Sequence, residues 1–304
     1  MYNITIFGLE FNIDPVAFTI PIGNGWKIYW YGILIALGFL GALVYAMRNA
    51  KRFGLDTDRM LDVALVTAPL AILGARAYYI LFKPDESFAD FFDFTSSGFQ
   101  GLAIYGGVIV AFAVGGLMCY IRKVNILDMF DIAAIGFLIG QGIGRWGNFT
   151  NQEAFGGPTG SDFFGMMSVG IGDNVGYGTN GVMVHPCFLY ESIWCLAGVL
   201  VLHIISKKRK FKGQIILSYC AWYGFGRGFI EILRSDSLYL GIFKVSSLLS
   251  FVICIASIIT LAIMLKSKRE AAKECEYTGV FENEDTAEKE EITEQEEISE
   301  EENE

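Results

Sequence analysis

The sequence predicts an all-α polytopic membrane protein with seven transmembrane helices. Three observations carry this. The chain is 53% hydrophobic over 304 residues. Its apolar residues gather in blocks of about twenty, the length that crosses a bilayer as a helix. Lys and Arg concentrate in alternate connections between those blocks, as the positive-inside rule requires.

The apolar blocks place spans at about 28–47, 60–82, 101–121, 128–146, 187–205, 213–232 and 245–265. Arg48, Lys51, Arg52 and Arg59 follow the first span, and Arg122 with Lys123 the third. Lys207, Lys208, Arg209, Lys210 and Lys212 follow the fifth, and Lys266, Lys268 and Arg269 the seventh. The intervening connections hold few cations. The N-terminus is therefore expected outside and the C-terminus in the cytoplasm.

The formal net charge of -10 hides an asymmetry. Residues 270–304 hold 16 acidic and 2 basic side chains, whereas residues 1–269 hold 17 acidic and 21 basic. The expected organisation is a membrane-embedded domain over 1–269 and a disordered, acidic cytoplasmic tail over 270–304. Residues 147–186 form a long, glycine-rich connection without Lys or Arg, expected as a cap on the outer face. Residues 84–100 interleave phenylalanines with acids and serines and are expected to lie on the membrane as an interfacial arm. With no basic n-region and no small-residue cleavage site ahead of the first span, no cleavable signal peptide is expected. The six cysteines show no CxxC pairing and only two histidines occur, so no metal site is expected.

With that topology, Tyr31, Tyr105 and Tyr190-Glu191 fall early in spans that run inward. Arg76, Arg145, and Arg227 with Glu231 fall late in spans that run outward. Six spans thus deliver polar groups to one depth, the outer half of the bilayer. Ionisable groups at such a depth are costly and usually line a substrate path or pair with one another. An anion carrier and a lipid-handling enzyme both fit. The lack of an internal repeat, and a layer displaced from the midplane, speak against the carrier.

Gly144-Arg145-Trp146-Gly147-Asn148-Phe149-Thr150-Asn151-Gln152-Glu153 is the most informative run. It sets an arginine, amides and a carboxylate at the edge of hydrocarbon, and arginine is well suited to gripping phosphate with a fork of donors. Tyr223, Arg227 and Glu231 recur at i, i+4, i+8 and share a helical face. His185-Pro186 opens the fifth span, where His185 fits either a base or an organiser of the cap, and Glu191 fits a partner for an arginine. Arg76 fits either the polar layer or a side chain reaching to the headgroups. Tyr105 precedes Gly106-Gly107, a pair that permits close backbone approach, so packing and function both remain open for it.

Taken in order, these motifs resemble the prolipoprotein diacylglyceryl transferase family, bacterial membrane enzymes that lipidate lipoprotein precursors. Trp30-Tyr31-Gly32, Gly74-Ala75-Arg76, the Gly144–Glu153 run, His185-Pro186 through Tyr190-Glu191, and Arg227 with Glu231 carry the resemblance over roughly residues 15–268. It implies a transferase of the cytoplasmic membrane with its site toward the outer leaflet. The implied partners are phosphatidylglycerol, membrane lipids and prolipoprotein signal peptides with a lipobox cysteine; no cofactor and no nucleic acid are implied. The implied reaction moves the diacylglyceryl group to the cysteine thiol, forms a thioether and releases glycerol 1-phosphate.

The residues suit that chemistry. A carbon next to a phosphate ester yields to a thiolate only when the departing phosphate is stabilised, which preorganised charge does best in a low-dielectric site. Arg145 and Arg227 are expected to act as that clamp. Asn148, Asn151 and Glu153 are expected to orient the glycerol headgroup, Glu231 to hold Arg227, and Tyr31, Arg76 and His185 to complete the binding layer. Many family members carry histidine where this chain has Tyr105, so Tyr105 is expected in the site and the proton acceptor is left open.

Overall fold

In the computed structural model, residues 2–21, 25–82, 103–168, 171, 182–235, 239–240 and 243–271 are described. The 84–100 arm, the tail beyond residue 271 and part of the 147–186 connection lie outside them. The helices among the described residues are α1 (Trp30–Asn49), α2 (Thr57–Phe82), α3 (Ile104–Ile121), α4 (Ile126–Asn151), α5 (Cys187–Ser206) and α6 (Gln214–Leu233), followed by α7 (Val245–Ala271). Each falls on an expected apolar block. Five are long and apolar enough to cross a membrane: α1 with the 3-10 turn Ala50–Phe53 that extends it, α2, α4, α5 and α7. α3 is a shorter apolar helix. Gln214, Arg227 and Glu231 interrupt the apolar run of α6.

Glycines set how closely these helices pack. A Cβ on Gly38 of α1 would meet the Gly140 backbone of α4 at 3.1 Å, and one on Gly147 would overlap the Tyr31 ring. These pairs make α1 and α4 antiparallel. Trp194 of α5 and Trp222 of α6 stack at 4.3 Å, and each indole donates to the other's carbonyl, at 2.9 and 3.0 Å. Gly226 and Gly198 leave the room for those rings. Ser192 of α5 donates to Gly142 of α4 at 2.7 Å, and Ser247 of α7 to Gly228 of α6 at 2.8 Å. α2 and α3 form their own pair, closed by Gly74 against Gly106 and by Ala103 N donating to Ala75 O at 3.0 Å. The alternation gathers the starts of α1, α3, α5 and α7 and the ends of α2, α4 and α6 at one end of the molecule.

The opposite end is locked by Asp131, which is fully buried. Its carboxylate accepts the backbone N–H groups of Gly213, Ile215 and Ile216 and the Arg209 guanidinium, each at 2.9 Å. Those N–H groups are orphan donors at the start of α6, so a residue of α4 caps a helix distant in sequence.

Short strands add to the helical frame. β1 (Tyr2–Ile6) pairs antiparallel with β2 (Leu9–Ile13) and with β5 (Met166–Ser168), giving the order β2-β1-β5. Phe7 and Gly8, at φ 48° and 77°, make the two-residue hairpin turn that requires positive φ at both positions. β3 (Val16–Ile20) pairs with β4 (Trp26–Tyr29), and β6 (Tyr239–Leu240) with β7 (Phe243–Lys244). Ile4 of β1 is buried among Phe149, Phe155, Met166 and Phe188, which seats the sheet on the end of α4 and the start of α5. Residues 1–258 form one compact unit. The second unit, residues 259–304, is described through Ala271, the end of α7.

Candidate functional site

α4 runs through Asn151, so Asn148 and Asn151 continue the helix of Arg145 rather than lying in the loop expected to open at residue 147. Spacings of three put them on one face of its last two turns. The helix then stops at Gln152, a left-handed cap at φ 57°, and the Glu153 N–H closes on Asn148 O at 3.0 Å. That turn returns the Glu153 carboxylate over the helix end, where Asn148 donates to it at 3.0 Å and Asn151 at 3.4 Å.

Glu191 of α5, 2% exposed, joins three helices. One carboxylate oxygen accepts Arg145 Nη2 at 2.6 Å and the Tyr223 hydroxyl at 2.8 Å. The other accepts Arg227 Nη1 at 2.9 Å. Arg145 Nη1 reaches Asn148 Oδ1 at 3.3 Å, and Arg227 Nη2 lies 2.5 Å from Glu231 Oε2. Arg227 therefore makes the intrahelical pair that its spacing permits and a second pair across to α5. The Trp194–Trp222 stack fixes this register, because Glu191 lies one turn before Trp194 and Tyr223 follows Trp222.

Exposure in this network is uneven. The side chains of Glu191 and Glu231 are 3% and 4% exposed, those of Arg145 and Arg227 21% and 17%. The carboxylates are the more deeply buried partners and the arginine side chains the less buried ones. A guanidinium has five N–H donors, and the carboxylates and Asn148 engage only two nitrogens of each arginine. The arrangement is a pair of cations from two helices held by shared carboxylates.

A strand-like crossing ties residues 156–157 to the start of α5 and the end of α6. Gly156 N donates to His185 O at 2.9 Å, His185 N to Gly157 O at 3.0 Å, and Gly157 N to Leu233 O at 2.9 Å. The His185 ring lies 3.2 Å from the Tyr190 hydroxyl, Nδ1 to oxygen. His185 thus organises the join between the cap and α5. A Cβ on Gly156 would come within 2.7 Å of the His185 Cβ and 2.8 Å of Leu233 O, so the crossing needs glycine there.

The motifs and this geometry invite comparison with known proteins. Residues 15–263 match the family model described as prolipoprotein diacylglyceryl transferase. The chain belongs to that family. It is 41% identical over 273 residues, 89% of this chain and 100% of the relative, to phosphatidylglycerol–prolipoprotein diacylglyceryl transferase 1 of Clostridium perfringens (strain 13 / Type A). It is 40% identical to the Clostridium kluyveri (strain ATCC 8527 / DSM 555 / NBRC 12016 / NCIMB 10680 / K1) transferase of the same name, over 81% of this chain and 94% of that one. It is 37% identical to the Clostridioides difficile (strain 630) transferase, over 86% and 100%.

Of the residues expected to form the site of this transferase-family chain, Arg145, Asn148, Asn151, Glu153, Arg227 and Glu231 come together, and Tyr31 packs on Gly147 beside them. Arg76 and Tyr105 lie at the same end, on the α2–α3 pair. Arg76 is buried, with its guanidinium 5.7 Å from the Tyr79 ring centre. Tyr105 is 59% exposed, 6.5 Å from the Tyr78 ring, and no described contact joins it to the Glu191 network. Glu191 is the hub, a larger part than a partner for one arginine. Its signal was present: a lone acid early in an apolar helix, facing two arginines at the same depth. Lys244, which the sequence reading did not single out, donates to three carbonyls at the end of α6.

Proposed function

We propose that the protein carries out the transfer of its family at the Glu191-centred arginine pair. It is a phosphatidylglycerol–prolipoprotein diacylglyceryl transferase, and the reaction is the first step of lipoprotein maturation. The observation that carries the assignment of the site is the pair of guanidiniums from α4 and α6 held by one buried carboxylate, Glu191. Such a pair suits a lipid phosphate, because its cost of ordering is met before the lipid arrives.

In this account the phosphate of phosphatidylglycerol lies against Arg145 and Arg227. The glycerol headgroup hydroxyls meet the Asn148–Glu153–Asn151 triad, which offers both donors and acceptors. The sulfur of a lipobox cysteine attacks the glyceryl CH2 that bears the phosphate. A C–S bond forms, the C–O bond breaks, and glycerol 1-phosphate leaves. Charge grows on the leaving oxygen as the bond breaks, so the arginines bind the transition state more tightly than the lipid. The thiol proton is released to the departing phosphate, whose second ionisation lies near pH 6. Tyr31 lines the site from α1, His185 ties it to the cap, and Arg76 and Tyr105 close it from α2–α3.

We place all seven helices across the cytoplasmic membrane, N-terminus outside and C-terminus inside. The cation-rich connections at the Asp131 end support this, and it puts the arginine pair in the outer leaflet. A cysteine introduced at Ser161 should then react with an impermeant reagent on intact cells. The activity is tested by incubating the purified protein with phosphatidylglycerol and a lipobox peptide. A diacylglyceryl mass increase on the peptide thiol is expected; an unmodified thiol beside consumed lipid would point to a different acceptor.

A further inference from the structure

Two helices end within about two turns of the arginines proposed to bind the phosphate. The last carbonyls of a helix are left unsatisfied and carry about half a negative charge. That charge opposes an anion. α6 has a remedy built in. Lys244, at the end of β7, donates from Nζ to Glu231 O at 3.0 Å, Ile232 O at 3.0 Å and Arg234 O at 2.5 Å. The β6–β7 pairing, Tyr239 opposite Lys244, returns the chain so that the ammonium meets the helix it has just left. The turn it caps carries Glu231, whose carboxylate lies 2.5 Å from Arg227 Nη2 and 3.9 Å from Arg234 Nε.

We infer that Lys244 is a positioning residue for the transfer: it neutralises the negative end of α6 and fixes the turn that holds Arg227, so that this end of the bundle accepts a phosphate. Lys244 Nζ donates to three carbonyls at the end of α6, so Lys244 acts through the helix and not by touching the lipid. The inference rests on the proposed function of the arginine pair. It concerns the phosphate in particular, because a neutral ligand at the same place would be indifferent to the helix dipole.

The test compares full-length wild type, Lys244→Gln and Lys244→Arg in lipid nanodiscs. Gln keeps donors for the carbonyls and drops the charge; Arg keeps the charge. Two inhibitors of transfer are titrated: glycerol 1-phosphate, and a lipobox peptide with serine in place of the reacting cysteine. Lys244→Gln is expected to weaken inhibition by glycerol 1-phosphate about tenfold, within the range for a charge at a helix end in a partly buried setting. Inhibition by the peptide should not change, and Lys244→Arg should restore the wild-type value. Equal inhibition in wild type and Lys244→Gln, or parallel weakening of both inhibitors, overturns the inference. If wild type itself neither transfers lipid nor responds to glycerol 1-phosphate, it is the assignment of the arginine pair that fails.

Discussion

Arg145 and Arg227, from helices far apart in sequence, donate to opposite oxygens of the same Glu191 carboxylate, at 2.6 and 2.9 Å. Glu191 is nearly sealed from outside, so its charge is balanced by these two neighbours and by the Tyr223 hydroxyl. Removing one partner of a buried ion pair typically costs about 3–5 kcal/mol, because the other charges lose their compensation. Glu191→Gln keeps the shape and removes the charge. It is expected to lower the thermal midpoint in detergent and reduce transfer by at least about tenfold, as the guanidiniums lose their common anchor. A variant with wild-type melting and turnover would show that the arginines are held by something else.

Gly156 makes a second prediction. Its missing Cβ leaves space for the His185 Cβ, Leu233 O and Cys187 Sγ, which a new Cβ would approach to 2.7, 2.8 and 3.0 Å. Overpacking of this kind costs about 1–3 kcal/mol. Gly156→Ala should therefore melt earlier than wild type. Gly157→Ala, whose Cβ would meet only Leu233 O at 4.0 Å, should melt close to wild type. Equal midpoints for the two variants would mean that the Gly156 crossing is not tightly packed.

Tyr105 stands apart from the network but at its level. If its hydroxyl meets the substrate phosphate or the thiol proton, Tyr105→Phe lowers transfer by at least about tenfold with little change in packing. Tyr105→His should keep more activity than Tyr105→Phe, since imidazole restores a donor and a base. Turnover against pH for the three proteins checks this. Unchanged turnover in Tyr105→Phe across pH would reduce Tyr105 to a packing residue of the α2–α3 pair.

Most of the helices were legible as long apolar runs, and the gathering of Arg145, Arg227 and Glu231 was legible because charged residues stand inside those runs. The Gly144–Glu153 run was legible as chemistry but not as geometry. Its glycines and amides read as the start of a loop, yet α4 continues through Asn151, with Tyr31 packed against Gly147. β1 to β5 were not foreseen. Strands of three to five residues leave too short an alternation to detect, and β1 finds β5 only by a pairing across most of the chain. Glu191 and Lys244 were visible as charges, but their parts depend on which neighbours the Trp194–Trp222 stack and the β6–β7 turn bring to them.

The central claim is that Arg145 and Arg227 form the phosphate clamp, and substitution by lysine tests it most directly. Lysine keeps the positive charge and loses the planar fork that reaches two partners at once. Transfer of the diacylglyceryl group to a lipobox peptide, followed by mass spectrometry, gives the turnover of Arg145→Lys and Arg227→Lys at matched membrane levels. Each is expected to fall at least about a hundredfold, since loss of one preorganised donor costs roughly 3 kcal/mol in the transition state. Turnover near wild type in both variants would contradict the account and leave the arginine pair a purely structural feature of the bundle.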